Sequence, residues 1–247
     1  MPKVKCKITY DGTNFFGYQV QPKKRTVQGE LEHALEKIHK GEKVRVYASG
    51  RTDTGVHAKD QTIHFETNLT IPGGSWKKAL NALLPNDLYI RHSEVVPNDF
   101  HARYNVREKE YRYFVLNNAE PDVFQRNYVF HYRYDLDFNA VEEACKYLIG
   151  THDFTTFSSA KSTVKGDKIR TLFEATCHRE GDQIEFIFRG SGFLYNMVRI
   201  IVGTLLEVGQ GKKKPVDIKR ILEAKDRKLA GKTAPAHGLF LWKVDYK

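Results

Sequence analysis

The chain opens on an apolar–polar alternation over Lys3–Tyr10, which predicts a strand, and Asp11-Gly12 breaks it. Thr26 stands where it can cap a helix whose apolar residues Val27, Leu31, Leu35 and Ile38 recur at helical spacing, with Gly41 to close it. Val44, Val46 and Ala48 alternate again and predict a second strand. Thr62–Thr67 predicts a third, with Ile63 and Phe65 on one face. Ser75 is the expected cap of a helix carrying Trp76, Ala79, Leu80, Leu83 and Leu84, stopped by Pro85. Leu88–Val96 reads as a further strand.

An inter-element stretch follows, Pro97–Val106, PNDFHARYNV. It marks the expected boundary between an N-terminal domain, residues 1–105, and a C-terminal one, residues 106–247. Beyond it, Glu110–Leu116 reads as a strand and Asn139–Ile149 as a helix with Val141, Ala144, Cys145 and Leu148 inward. Arg170–Arg179 and Gln183–Arg189 form a hairpin around Glu180-Gly181-Asp182. Ser191–Val208 predicts a long apolar helix, Val216–Ala224 a shorter one, and Leu239–Val244 a closing strand. Strands and helices mix without strict β-α-β alternation. The expected class is α+β: two related halves, each a mostly antiparallel sheet covered by helices.

The 247 residues are enough for a substantial core. No apolar run approaches the roughly 20 residues that span a bilayer. The opening MPKVKCKITYDG has no apolar stretch of signal-peptide length, so the expectation is a soluble, cytoplasmic protein. Cys6, Cys145 and Cys177 are odd in number and widely spaced, which disfavours disulfides and a zinc knuckle. Lys and Arg total 40 against 30 acids, a formal net charge of +10, which suits a polyanionic partner. Two stretches concentrate it: Lys212–Lys232, with nine basic residues against three acids, and Ser158–Arg170, SSAKSTVKGDKIR.

The most unusual segment is Ala48–Gln61, ASGRTDTGVHAKDQ. Gly50 and Gly55 permit backbone angles that other residues avoid and let another chain approach. They frame Asp53 on a loop, and Arg51 is close enough in sequence to pair with it and keep it ionised. Such a carboxylate is a candidate nucleophile or base; an Asx-turn is the bland alternative. Aromatic residues stand where bases would stack: Tyr111 and Tyr113 in EKEYRYFV, and Phe15, Phe16 and Tyr18 in YDGTNFFGYQVQ. Core packing would produce the same pattern. A glycosidase-like hydrolase would need a second carboxylate about 5–9 Å away. Asp60 is the nearby candidate, and its neighbours Lys59 and Gln61 do not suggest a buried acid.

Six ordered segments carry a resemblance: YDGTNFFGYQVQ, GRTDTGVHA, FHARYNVREKEYRY, THDFTTF, FRGSGFLYNMVRIIVGTLLEVG and APAHGLFLW. Together they resemble the TruA family of tRNA pseudouridine synthases, essentially end to end. Tyr18 departs from the tryptophan often found there. The resemblance implies the pseudouridine synthase fold. It implies isomerisation of uridine to pseudouridine at positions 38, 39 and 40 of the tRNA anticodon stem-loop, with base flipping and without cofactor or metal. It implies a homodimer, for which the apolar helix Phe193–Val208 is a candidate interface.

By the same resemblance Asp53 is the catalytic aspartate, attacking the ribose C1′ or the uracil ring. Tyr111 stacks on the target base. Arg51 pairs with the aspartate and helps hold the displaced nucleotide. Arg199, a charge on an apolar helix, is expected either to find Asp53 or to reach solvent. Leu239 is expected to pack against the active-site loop. His57 and the His152-Asp153 pair are read as structural, and Ser158 and Ser159 lack the G-x-S-x-G context of a hydrolase nucleophile.

Overall fold

The computed structural model describes residues 1–159 and 166–246. The chain is α+β and divides into two compact units, residues 1–107 with 240–247, and residues 108–239.

In unit 1, β1 (Lys3–Tyr10) lies between β3 (His57–Glu66) and β4 (Leu88–Val96), antiparallel to both. Alternate residues of β1, Val4, Cys6, Ile8 and Tyr10, are buried. The intervening lysines form cross-strand ion pairs: Lys3–Glu66 at 3.7 Å, Lys5–Glu94 at 3.1 Å and Lys7–Asp60 at 3.0 Å. The buried face is covered by α1 (Val27–Ile38) and α2 (Ser75–Asn81), which bury Leu31, Leu35, Trp76 and Leu80. Thr26 caps α1 as its position predicts, its hydroxyl accepting the Gly29 N–H. The cap of α2 differs from expectation. Ser75 is already helical, and Gly74 precedes it with no side-chain cap.

The second strand also differs. β2 is only Tyr47–Ala48, paired antiparallel with β3. Val44 and Val46 are buried, but α1 side chains serve the Val46 backbone: Glu32 accepts its N–H at 3.0 Å and Gln28 donates to its carbonyl at 3.4 Å. Residues 240–247, placed with the second half in the sequence reading, lie in unit 1. There β10 (Leu239–Tyr246) pairs in parallel with β3, Phe240 opposite His57 and Leu241 opposite Ala58.

In unit 2, β5 (Val106–Leu116), β9 (Gln183–Gly190), β8 (Ile169–Glu180) and β7 (Gly150–Asp153) form an antiparallel sheet in that order. β6 (Phe130–His131) adds in parallel beside β5. The β8–β9 hairpin turns at Gly181, φ +57°, as its sequence predicts. α3 (Phe138–Lys146), α4 (Met197–Gly209) and α5 (Asp217–Ala224) complete the unit. α4 starts six residues later than its apolar run suggests, because Asn196 takes the left-handed conformation, φ 60°. Eleven of its thirteen residues are buried, so this helix is a core element and not a free dimer face. Cys6, Cys145 and Cys177 are all buried free thiols. Among the described residues no helix is long and apolar enough to cross a membrane.

Candidate active site

Between β2 and β3 the chain runs through Ser49–Val56, with its tight turn at Thr54-Gly55. The Asp53 carbonyl accepts the Val56 N–H at 3.1 Å, and Gly55 has φ +78°. Both flanks are anchored to the segment after β1. The Tyr18 N–H donates to Thr52 O at 3.0 Å, and the Gly55 N–H to Phe15 O at 3.3 Å. Beneath the loop the Tyr10 hydroxyl and Thr52 Oγ1 share a buried hydrogen bond of 2.8 Å. Burial pushes the Tyr10 phenol up to about 12, against the smaller opposing effect of that bond, so the ring stays a neutral strut.

The far flank rests on His57, 1% exposed. The Gly12 N–H lies 2.9 Å from its Nδ1, and the ring stacks on Phe240 at 4.5 Å. Asp11 Oδ1 is 3.1 Å from the same nitrogen. A Cβ at Gly12 would collide with the Val56 carbonyl. At Gly17, φ +86°, a Cβ would lie 2.9 Å from Thr52 O and 3.3 Å from the Asp53 carbonyl carbon. Asp53 itself is half-buried on a loop held from both sides. Arg51 is exposed, and among the described residues no carboxylate lies within ion-pairing distance of it. The turn closes after Asp53, at Thr54-Gly55, and does not fold Arg51 back onto the carboxylate.

The other sequence-selected residues belong to unit 2. Tyr111, 8% exposed, sits on β5 opposite Phe188, with its ring edge-on to Phe193 at 4.9 Å. Arg199 occupies the first turn of α4 and is half-buried, not extended to solvent. Its Nε donates to Ala234 O at 2.7 Å and its Nη1 to Asn196 Oδ1 at 2.9 Å. The Tyr113 hydroxyl donates to Pro235 O at 2.8 Å. Burial drives the Tyr113 phenol far above its usual range, offset in part by the Arg199 charge. Arg199 and Tyr113 thus fix the segment that leads through the 3-10 turn Ala236–Gly238 into Leu239, itself 5% exposed.

A family sequence model described as tRNA pseudouridine synthase matches residues 8–105 and 144–247. Over the whole chain the sequence is 58% identical to the tRNA pseudouridine synthase A of Oceanobacillus iheyensis, covering 98% of that protein. It is 60% identical to the tRNA pseudouridine synthase A of Anoxybacillus flavithermus, over 100% of this chain and 99% of that protein. The chain belongs to the TruA family of tRNA pseudouridine synthases. The reaction of this TruA-family synthase is the isomerisation of uridine to pseudouridine in tRNA. Substrate and product are isomers, so the balance needs no oxidant or reductant.

The synthase also departs from its sequence reading around the loop. Phe15, Tyr18 and Tyr113 are core residues, at 2%, 3% and 0% exposure, and only Phe16 of the N-terminal aromatic group is exposed. Asp60 is buried after all, on β3, where Lys7 holds it at 3.0 Å. An aspartate committed to that lysine makes a poor second acid for hydrolysis. His152 and Asp153 have separate structural partners, as expected: His152 Nε2 meets Ile149 O at 3.0 Å, and Asp153 pairs with Lys225 at 3.0 Å. Ser158 is buried, while residues 160–165 of the basic stretch Ser158–Arg170 lie outside the described residues. His57 is structural, as its sequence reading has it; the residues that reading missed are the loop's other supports, Tyr10, Gly12, Gly17 and Thr52. Their signal was the paired glycines of YDGTNFFGY, legible only as a second loop and not as a clamp on the first.

Proposed function

We propose that the synthase acts on uridines 38, 39 and 40 of the tRNA anticodon stem-loop and that Asp53 is its nucleophile. The observation that supports this most is the clamped loop, whose glycines, buried Thr52 and backbone bonds to Phe15 and Tyr18 present one half-exposed carboxylate. In the reaction the N1–C1′ bond breaks, the base rotates, and a C5–C1′ bond forms. C5 then loses its hydrogen to solvent while N1 gains a proton. Asp53 holds the sugar or the ring between the two events, by adding at C1′ or to the uracil. Tyr111 supplies a face for the extruded base. Stacking of this kind returns roughly 1–3 kcal/mol against the few kcal/mol that extrusion costs.

Arg51, exposed beside the carboxylate, contacts the RNA and fills the vacated space in the stem. Arg199 orders the 234–239 segment that presents Leu239. The two units are related halves of one pseudouridine synthase fold, and the protein works as a cytoplasmic homodimer.

The deciding experiment is tritium release from tRNA carrying [5-³H]uridine, because only bond formation at C5 expels that label. Wild type is expected to release it and Asp53→Ala to release none while binding tRNA within a few-fold of wild type. Normal turnover by the variant would remove Asp53 from the mechanism. Free uracil in place of pseudouridine would indicate hydrolysis.

A further inference from the structure

Away from the Asp53 loop, unit 1 carries a contiguous group of aromatic rings flanked by arginines. Tyr47 stacks on His64 with ring centroids 5.0 Å apart and planes at 16°. His101 packs against both, 4.7 Å from His64 and 5.5 Å from Tyr47. Tyr104 continues the row, 4.3 Å from His101. The Arg45 guanidinium lies 5.3 Å above the Tyr47 ring and that of Arg103 6.0 Å from Tyr104. Of these rings only His64 is fully buried. Tyr47 is 38% exposed and Tyr104 76%.

The row is built rather than incidental. His64 Nδ1 accepts the Ala102 N–H at 3.1 Å, and His101 Nδ1 accepts the Arg103 N–H at 3.1 Å, so both rings are fixed in orientation by the 101–105 loop. Asn105 closes that loop by accepting the His101 N–H at 2.5 Å. Burial lowers the pKa of His64 to about 4 and also lowers that of His101, each helped by nearby positive charge. These shifts favour the neutral form of both rings. A row of neutral rings edged by guanidinium groups matches the chemistry of a nucleic acid: rings for base faces, arginines for phosphates. Isolated apolar side chains on a surface would call for no partner, but here four rings are in mutual contact.

We propose that this face is a second RNA-contacting surface, on which an unpaired base of the substrate RNA lies against Tyr104 while Arg45 and Arg103 hold the flanking phosphates. The seven residue steps of β3 from His57 to His64 put it about 23 Å along the strand from the end of the catalytic loop. One folded RNA can reach both places. The surface therefore contributes affinity and register but takes no part in the chemistry. This inference rests on the reading of the chain as a tRNA-modifying enzyme.

The test is filter binding of tRNA to the full chain, with Tyr104→Ala, Tyr104→Phe and Arg103→Ala beside wild type. Tyr104→Ala is expected to weaken binding roughly ten-fold or more, with kcat at saturating tRNA unchanged. Tyr104→Phe, which keeps the ring, is expected to bind within two-fold of wild type. Arg103→Ala is expected to flatten the salt dependence by about one phosphate contact. Unchanged affinity in Tyr104→Ala would overturn the proposal. So would a change in subunit stoichiometry on sedimentation, which would make the face an interface between copies. Wild type that releases no tritium from labelled tRNA would instead overturn the parent reading.

Discussion

At Gly17 the backbone adopts φ +86°, and three backbone atoms of the Asp53 loop crowd the place where a Cβ would stand, the nearest at 2.9 Å. An alanine there meets left-handed strain of about 1–2 kcal/mol and displaces Thr52–Thr54. Misplacement of a reacting group by about 1 Å can cost on the order of 100-fold in rate. Gly17→Ala is therefore expected to lower kcat at least ten-fold while tRNA affinity and far-ultraviolet circular dichroism stay near wild type. Steady-state kinetics beside a binding isotherm separates the two quantities. The loop that carries Asp53 was legible in the sequence, because flanking glycines mark a polar loop by local chemistry alone. The support from Gly17, Tyr18 and Thr52 was not, since it depends on two loops more than thirty residues apart meeting in space. Arg51 shows the converse: proximity in sequence suggested an ion pair that the position of the turn does not form.

Among the elements, α1 and β1 were readable nearly to the residue, because a capping threonine and clean periodicities agree with their burial. The start of α4 was not. Its apolar run continues upstream through Phe193 and Leu194, but a left-handed Asn196 decides the boundary. Likewise β2 shrank because Glu32 and Gln28 satisfy backbone groups that a ladder would otherwise take. Gly203 carries a prediction at this scale. In an exposed helix, glycine to alanine gains roughly 1 kcal/mol. Inside α4 the added Cβ would run into the Lys232 carbonyl, where the 231–234 segment crosses the helix. Gly203→Ala is therefore expected to lower the thermal midpoint by several degrees, against the sign of helix propensity. A rise on calorimetry would mean that the segment can move aside.

For the molecule as a whole, the net charge of +10 predicts steeply salt-sensitive tRNA binding. The Lys212–Lys232 stretch is less uniform than its composition suggests. Arg227 turns inward to the Ala230 and Gly231 carbonyls and to Thr233, and Lys213 pairs with Glu207. Lys212, Lys214 and Lys219 remain exposed. Replacing Lys212 and Lys214 together by alanine is expected to reduce the slope of log affinity against log salt by roughly one to two. An unchanged slope would place the phosphate track elsewhere. Charge was the easiest feature to read from the sequence, but which lysines are available depended on folded neighbours. The last strand illustrates the same dependence over the greatest separation. Phe240 and Leu241 pair with β3 beside His57 and Ala58, although about three quarters of the chain lies between them. A ribosome must therefore add 183 residues beyond His57 before the ring beneath the Asp53 loop receives its stacking partner. The nascent chain carries Asp53 long before it gains this support, so a chain stopped short of Phe240 holds the far flank of the loop without its stacking partner.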